Sequence, residues 1–269
     1  MPRVKQSTEI SNWEGELAKQ AEIAVGMEAS TSGGKFFSLK SGVLSFNDAP
    51  FPQNQMAVVI LDAILENVFY EGAFDPENMS GPACYAFGRK DAEMKPHEMV
   101  VKGGTAKCAD CASCDLNQWG SADQGRGKAC SNRRRLALIS AGTFDAQGRF
   151  QIFPEKGHFT ETEIGFLKIP PTAIKGYGGF VKSLAATLKR PPHGVFTKVS
   201  VVPDTKTQFR VMFEPLSKVP DNLMPEIMKR HEEAKGLIDF PYTPFEATEA
   251  PAKGKPGVAA PATGKKRKY

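Results

Sequence analysis

The chain has 269 residues, of which 41% are hydrophobic and 24% charged, and its net charge is +5 at pH 7. This composition excludes collagen-like, fibrous and wholly disordered proteins. Five Cys are too few for a disulfide scaffold. The longest mainly apolar run, Met56 to Ile64, is shorter than the ~20 residues that span a bilayer, and the N-terminus shows no secretory signal. We therefore expect an intracellular protein with reduced thiols and no membrane partner.

The first two thirds of the chain are predicted to contain one helix followed by a series of strands. Residues 1–30 are predicted to form a helical arm, because apolar side chains recur near helical spacing from Ile10 to Ala24. The stretch from Ser30 to Gly34 interrupts this pattern, and strand patterns follow it. The predicted strands are 35–46, 55–72, 83–88, 135–140, 149–153 and 164–169.

The last third contains two predicted helices, a hairpin and a tail. We predict a helix at 180–188, a hairpin of 195–202 with 208–213, and a helix at 223–235 that Asp221 or Asn222 caps and Gly236 ends. Residues 246–269 are low in complexity, with six basic and two acidic residues, and are predicted to be a disordered basic tail. Short strands with few helices favour a mainly β fold with α decorations, either a barrel or a small sandwich.

Four of the five Cys are close together in the sequence: Cys108, Cys111, Cys114 and Cys130. Thiolates at this spacing are typical of a structural zinc site, which we place in residues 97–130. One compatible ligand arrangement uses the three successive Cys at 108, 111 and 114. The other uses Cys111, Cys114 and Cys130 with His97, and leaves Cys108 out. Both arrangements stay open at this point.

An iron–sulfur cluster is the rival interpretation of these Cys, although Ser131 stands where cluster motifs usually have a proline after the last Cys. A closed zinc site stabilises the fold and supplies no chemistry. Cys84 lies in a strand pattern and is predicted to be a core residue.

Positive charge is concentrated in two stretches without carboxylates, 124–135 and 164–203. Both lie beside aromatic residues, a combination that indicates a groove for a polyanion. Lys and Phe also alternate in 35–46. Phe36 and Phe37 are equally compatible with core positions, but neighbours on a strand face opposite ways, so at least one is expected outside the core. The predicted nucleic-acid-binding residues are Lys35, Phe36, Phe37, Lys40, Trp119, Arg126, Lys128, Arg133, Arg134, Arg135, Lys175, Tyr177, Lys182 and Lys189.

Several segments together resemble a group of tailed-bacteriophage proteins that bind single-stranded DNA. They are Cys111 to Ser121 (C-x2-C-x4-WGS), Gly125 to Cys130, Arg133 to Ile139, 167–185 and 194–201. The resemblance covers about residues 35–240. It implies an OB-like barrel with a zinc-bound insertion, which coats exposed strands during phage replication or recombination in the host cytoplasm. The chain departs from many single-stranded DNA-binding proteins because it ends in GKKRKY and not in an acidic tail.

These observations predict a non-enzymatic zinc protein that binds single-stranded DNA with little sequence preference. The expected organisation is an arm (1–30), an OB-like nucleic-acid-binding domain (31–245) and a basic tail (246–269). Replication or recombination proteins are the further expected partners. The alternative is a zinc-bearing adaptor that binds host or phage replication or transcription machinery. A metal-dependent nuclease or deaminase is a third hypothesis, but the sequence shows no clustered set of carboxylates for it, and Glu98 follows His97 directly, without the spacer of a deaminase H-x-E site.

Overall fold

The fold is that of a computed structural model, which describes residues 36–72, 81–123 and 125–242, together with Gln20. Gln20 is helical. The rest of the predicted arm, Lys35 and the predicted tail lie outside the described residues.

The described residues form a mainly β fold, with a mixed ten-stranded sheet and four α-helices. The strands are β1 (Phe36–Ser38), β2 (Ser45–Phe46), β3 (Ala49–Pro50), β4 (Gln55–Phe69), β5 (Cys84–Gly88), β6 (Ser131–Phe144), β7 (Phe150–Ile152), β8 (Gly165–Ile169), β9 (Val195–Asp204) and β10 (Gln208–Lys218). The helices are α1 (Glu98–Lys102), α2 (Lys156–Glu161), α3 (Pro171–Thr187) and α4 (Met224–Leu237).

The main path of the sheet runs in the order β10-β9-β4-β6-β8-β1-β2-β3, while β5 pairs with β4 and β7 pairs with β6. Only the β1–β8 pair is parallel among these pairings. The path has two ends, β10 and β3, so the sheet is not closed. The predicted OB-like barrel is therefore not confirmed, whereas the predicted mainly β class with helices is.

Burial of both faces of the central strands explains why the sheet is open. β4 is buried along most of its length, which requires cover on both sides. On one face, Val58 and Leu136 pack in a cluster with Phe180 of α3. On the other face, Val59 and Ala137 pack in a cluster with α2 and α4. A barrel has a single interior, so an apolar pattern on both faces favours a sheet between helices.

The helices differ more from the sequence prediction than the strands do. α3 begins at Pro171, nine residues before the predicted start, because proline is well suited to the first turn of a helix. α4 lies within two residues of its predicted bounds, but Gly236, the predicted end, is inside the helix. Leu223 occupies the N-cap in place of Asp221 or Asn222, and no side chain caps it. The short helices α1 and α2 were not predicted. None of the helices in the described ranges is long and apolar enough to cross a membrane.

Candidate nucleic-acid interface and cysteine cluster

All five Cys of the chain line one small cavity of about 20 Å³. Cys84 comes from β5, and Cys108, Cys111, Cys114 and Cys130 come from the segment between α1 and β6, which we call the Cys loop (residues 103–130). A cavity of this size accommodates one water-sized or ion-sized occupant. Cys84 was predicted to be a core residue, and it is buried, but it also belongs to this thiol cluster.

The Cys loop is fixed to the sheet by buried hydrogen bonds. The Cys111 backbone N–H donates to the Met94 carbonyl at 2.9 Å, and the Asn117 side-chain amide donates to the Cys111 carbonyl at 2.7 Å. Asn132, at the start of β6, donates to the side-chain oxygens of both Asn117 and Asn67. Two strands therefore hold the loop in position through its polar groups as well as its thiols.

Burial makes the thiols of the cluster weak acids. Burial, together with the charges of neighbouring thiols, raises the pKa of Cys108 and Cys130 to about 12 and that of Cys111 to about 11. A bound cation has the opposite effect, because it stabilises thiolates and releases protons on binding. The donor set therefore suits a thiophilic ion such as zinc.

Within the described ranges, no three or more His, Cys, Asp or Glu side chains are positioned so that they could hold a metal ion. The zinc site accordingly stays a prediction. The convergence of the thiols on one cavity supports it, since zinc requires four ligands and five candidates line the same space.

His97 lies apart from the thiol cavity and is not one of its lining residues. Its Nδ1 accepts a hydrogen bond from the Met99 backbone N–H at 3.2 Å and thereby caps α1. Its ring stacks on Tyr85, with the ring centroids 5.0 Å apart. The ligand set that includes His97 stays a prediction, and Cys84 joins the candidate ligands because it lines the thiol cavity.

Trp119 is the most exposed large hydrophobic residue of the described ranges, at 81% exposure. Its loop is nevertheless well ordered by hydrogen bonds. The backbone N–H groups of Gly120 and Ala122 both donate to the Gly127 carbonyl, and the Ser121 hydroxyl donates to the carbonyls of Leu116 and Gln118. Hydrogen bonds thus hold the backbone of this loop, while the Trp119 side chain extends into solvent.

Two cations predicted from the sequence accompany Trp119. Lys128 Nζ lies 5.8 Å from the centroid of the indole ring, and Arg126 is exposed on the same loop. We call Trp119, Arg126 and Lys128 the Trp119 patch. An exposed aromatic ring with adjacent cations is the combination that single-stranded nucleic acids bind.

Three of the predicted stacking residues pack inside the protein. The Phe37 ring packs on Phe46, with centroids 4.6 Å apart, and the Phe36 ring packs between Phe166 and Phe240. Tyr177 is 4% exposed. Phe36 and Phe37 are each half-buried and pack against the core clusters on opposite faces of the sheet, so neither side chain projects fully into solvent.

Arg135 is also unsuited to phosphate binding, because it is 1% exposed. Its guanidinium forms an ion pair with the fully buried Glu66 and donates to the carbonyls of Ile238 and Phe240. It also lies 4.3 Å from the centroid of the Phe87 ring. Arg135 is therefore a structural residue.

The other predicted cations occupy different surroundings. Arg133 is half-buried and donates to Ser131, and Arg134 lies 5.9 Å from the centroid of the Tyr177 ring. Lys175 and Lys182 are exposed on α3, but they line two different cavities. Lys40 and Lys189 are exposed. The predicted cations thus do not converge on one trough.

Comparison of the chain with protein-family models, with curated proteins and with solved structures finds no match. The family resemblance drawn from the sequence motifs stays a prediction.

Proposed function

We propose that this protein binds single-stranded DNA with little sequence preference, and that the Trp119 patch is its main contact. The observation that carries the proposal is the 81% exposure of Trp119 on a hydrogen-bonded loop, with Lys128 beside its ring and Arg126 exposed on the same loop. A partner that covers this indole would remove its apolar surface from water, which favours binding.

The chemistry of the patch suits an unpaired strand better than a duplex. Every base has a flat face that can stack on an indole, and such stacking is worth about 1–3 kcal/mol per base. In a duplex these faces are already stacked on one another. Arg126 and Lys128 supply the phosphate contacts, which carry no sequence information.

A zinc ion held by four of the five clustered thiolates is the second part of the proposal. Zinc with four protein ligands stabilises a fold and leaves no open position for a reaction. The same loop contains four of the Cys and the Trp119 patch, so the ion would brace the segment that contacts DNA. A role in coating strands during phage replication or recombination follows from the resemblance alone and is part of the same proposal.

The test is a fluorescence-anisotropy titration of labelled oligo(dT) with the full chain and with Trp119→Ala. We expect the variant to bind about 5- to 100-fold more weakly, since one stacking contact of about 1–3 kcal/mol is lost. Trp119→Phe should recover part of the affinity, because its ring still stacks. Val101→Ala is the matched control, as Val101 is another exposed apolar residue, on α1.

Two further measurements complete this test. Binding to oligo(dT) should weaken with added salt, because phosphate contacts release counterions, and duplex DNA should bind less tightly. Equal affinities of the wild type and Trp119→Ala for oligo(dT) would contradict the proposal.

The adaptor hypothesis uses the same residue differently, because an exposed Trp is also a common anchor of protein–protein interfaces. It predicts that oligo(dT) is not retained by the wild type at low salt. The titration therefore separates the two functions.

A further inference from the structure

A gap between the strands that pair with one edge of β4 opens a cleft, which is lined in part by the predicted residues Arg134, Tyr177 and Lys182. Gln55 to Val59 of β4 pair with β9, and Leu65 to Phe69 pair with β5 on that edge. The residues between them, 60–64, have neither strand beside them. His231 of α4 reaches into this gap, where its Nδ1–H donates to the Leu61 carbonyl at 2.6 Å.

The cleft has a volume of about 450 Å³, which lies in the range of small-molecule sites. Its floor is β4 with Arg134, one wall is α3, and the other is the turn at Pro191 to His193. Its lining is mostly apolar, with a few polar groups, as is usual for a pocket that binds an organic ligand.

Flat rings and cations meet in this cleft. His193 stacks on His231 with centroids 4.2 Å apart, and the Tyr177 ring also lines the space. The cations are Arg134 and Lys182. Arg134 Nε is buried and has no hydrogen-bond partner in the part of the chain that the structure describes, so an acceptor on a ligand would satisfy it.

The carboxylate of the cleft is already neutralised. Asp62 is held by Arg89 through two hydrogen bonds, of 2.9 and 2.6 Å, and its side chain is only 8% exposed. Asp62 therefore does not cancel the charges of Arg134 and Lys182. The two cations and the flat rings of the cleft therefore favour a ligand that has an anionic group attached to a planar ring.

We propose that this cleft binds a nucleotide, with its base against the ring of His193 and its phosphate at Arg134 and Lys182. The ligand is either a free mononucleotide or one nucleotide of a bound strand. The site is distinct from the Trp119 patch, and the inference goes beyond the proposed function.

Two adjacent glycines of α3 provide a matched pair of variants. Gly178 lines the cleft, whereas Gly179 is exposed and does not. A Cβ added at either position would meet nothing within 4 Å. Leucine is a better helix former than glycine, so Gly178→Leu and Gly179→Leu should both fold, which thermal unfolding verifies. Only Gly178→Leu fills the cleft.

The experiment is isothermal titration calorimetry of the full chain with dTMP, thymidine and inorganic phosphate. We expect dTMP to bind more tightly than either of its parts, because both rings and cations contribute. Gly178→Leu should weaken dTMP binding about tenfold or more, while Gly179→Leu leaves it unchanged. Failure of dTMP to bind, equal binding of phosphate alone, or equal losses in both glycine variants would overturn the proposal.

Competition identifies the source of the nucleotide. Displacement of dTMP by oligo(dT) assigns the cleft to a nucleotide of a strand, and its absence assigns the cleft to free mononucleotides. Binding of oligo(dT) by Trp119→Ala tests the proposed function, and binding of dTMP by Gly178→Leu tests the cleft. Because the two measurements use different variants and different ligands, the failure of one proposal can be recognised without the other.

Discussion

A buried ion pair between Arg135 and Glu66 is the main polar feature of the core. Glu66 Oε1 accepts hydrogen bonds from Arg135 and from the Tyr242 hydroxyl, and both charged side chains are almost fully buried. Removal of one partner leaves the other charge buried and uncompensated, which is far more costly than loss of a surface pair.

We expect Glu66→Met to lower the free energy of unfolding by about 3–5 kcal/mol in urea titrations, because Arg135 is then left unpaired. The double variant Glu66→Met/Arg135→Met should lose less than the sum of the two single variants. Glu98→Gln is the surface control, since the Glu98–Lys102 pair is mostly exposed and should contribute little. Strict additivity of the two single losses would show that the pair is not coupled.

Lys168 lies beside the same ion pair, with its Nζ 3.0 Å from the Tyr242 hydroxyl oxygen. Burial lowers its pKa from 10.5 to about 8, and the positive charges of Arg135 and Arg133 act in the same direction, against Glu66. The unfolded chain therefore holds this proton more firmly than the folded chain does.

The lowered pKa predicts a pH dependence of stability. Between pH 8 and about 10.5 the unfolded state binds more protons at this position, so the free energy of unfolding should rise with pH relative to that of Lys168→Met. Urea titrations of both proteins at pH 7, 8, 9 and 10 provide the measurement. A constant difference between the two proteins across this range would contradict the lowered pKa.

At the scale of elements, the Cys loop is the segment whose stability depends most on the proposed ion. It contains little regular structure besides a short 3-10 turn, and few of its apolar side chains are buried. Cross-linking of such a segment by a metal replaces the hydrophobic burial that it lacks.

We expect the purified protein to contain one zinc per chain by atomic emission spectrometry, and Cys111→Ser to lose it and to melt at a lower temperature. His97→Ala is the control and should keep its zinc, because His97 lies outside the thiol cavity. Since zinc takes four ligands, one of the five single Cys→Ser variants should also keep it. Bound iron together with visible absorption would identify an iron–sulfur cluster in place of zinc. A wild-type protein without metal would contradict the proposed site.

At the scale of the whole molecule, the helices on both faces of the sheet decide which side chains reach solvent. Helix cover of the sheet buries Tyr177 and leaves Phe36 and Phe37 half-buried against the core clusters. The Trp119 patch and the cleft beside β4 remain as the two candidate contact regions. A barrel would have left an outer face for the predicted aromatic residues.

Local patterns in the sequence were sufficient to predict most strands, the β9–β10 hairpin, the helix at 223–235 and the exposure of the Trp119 loop. Strand periodicity and turn residues act over a few positions, so they can be read without knowledge of the fold. The clustering of Cys in 108–130 was visible for the same reason.

The tertiary structure alone decided which residues share a site. Cys84 joins the thiol cluster because β5 pairs with β4, and Arg135 becomes a core residue because Glu66 is brought next to it. Likewise, His193 and His231 stack only because α4 packs beside the gap in β4. Such contacts join residues far apart in the chain, and they depend on strand order and on helix cover of both faces. No local pattern encodes that information.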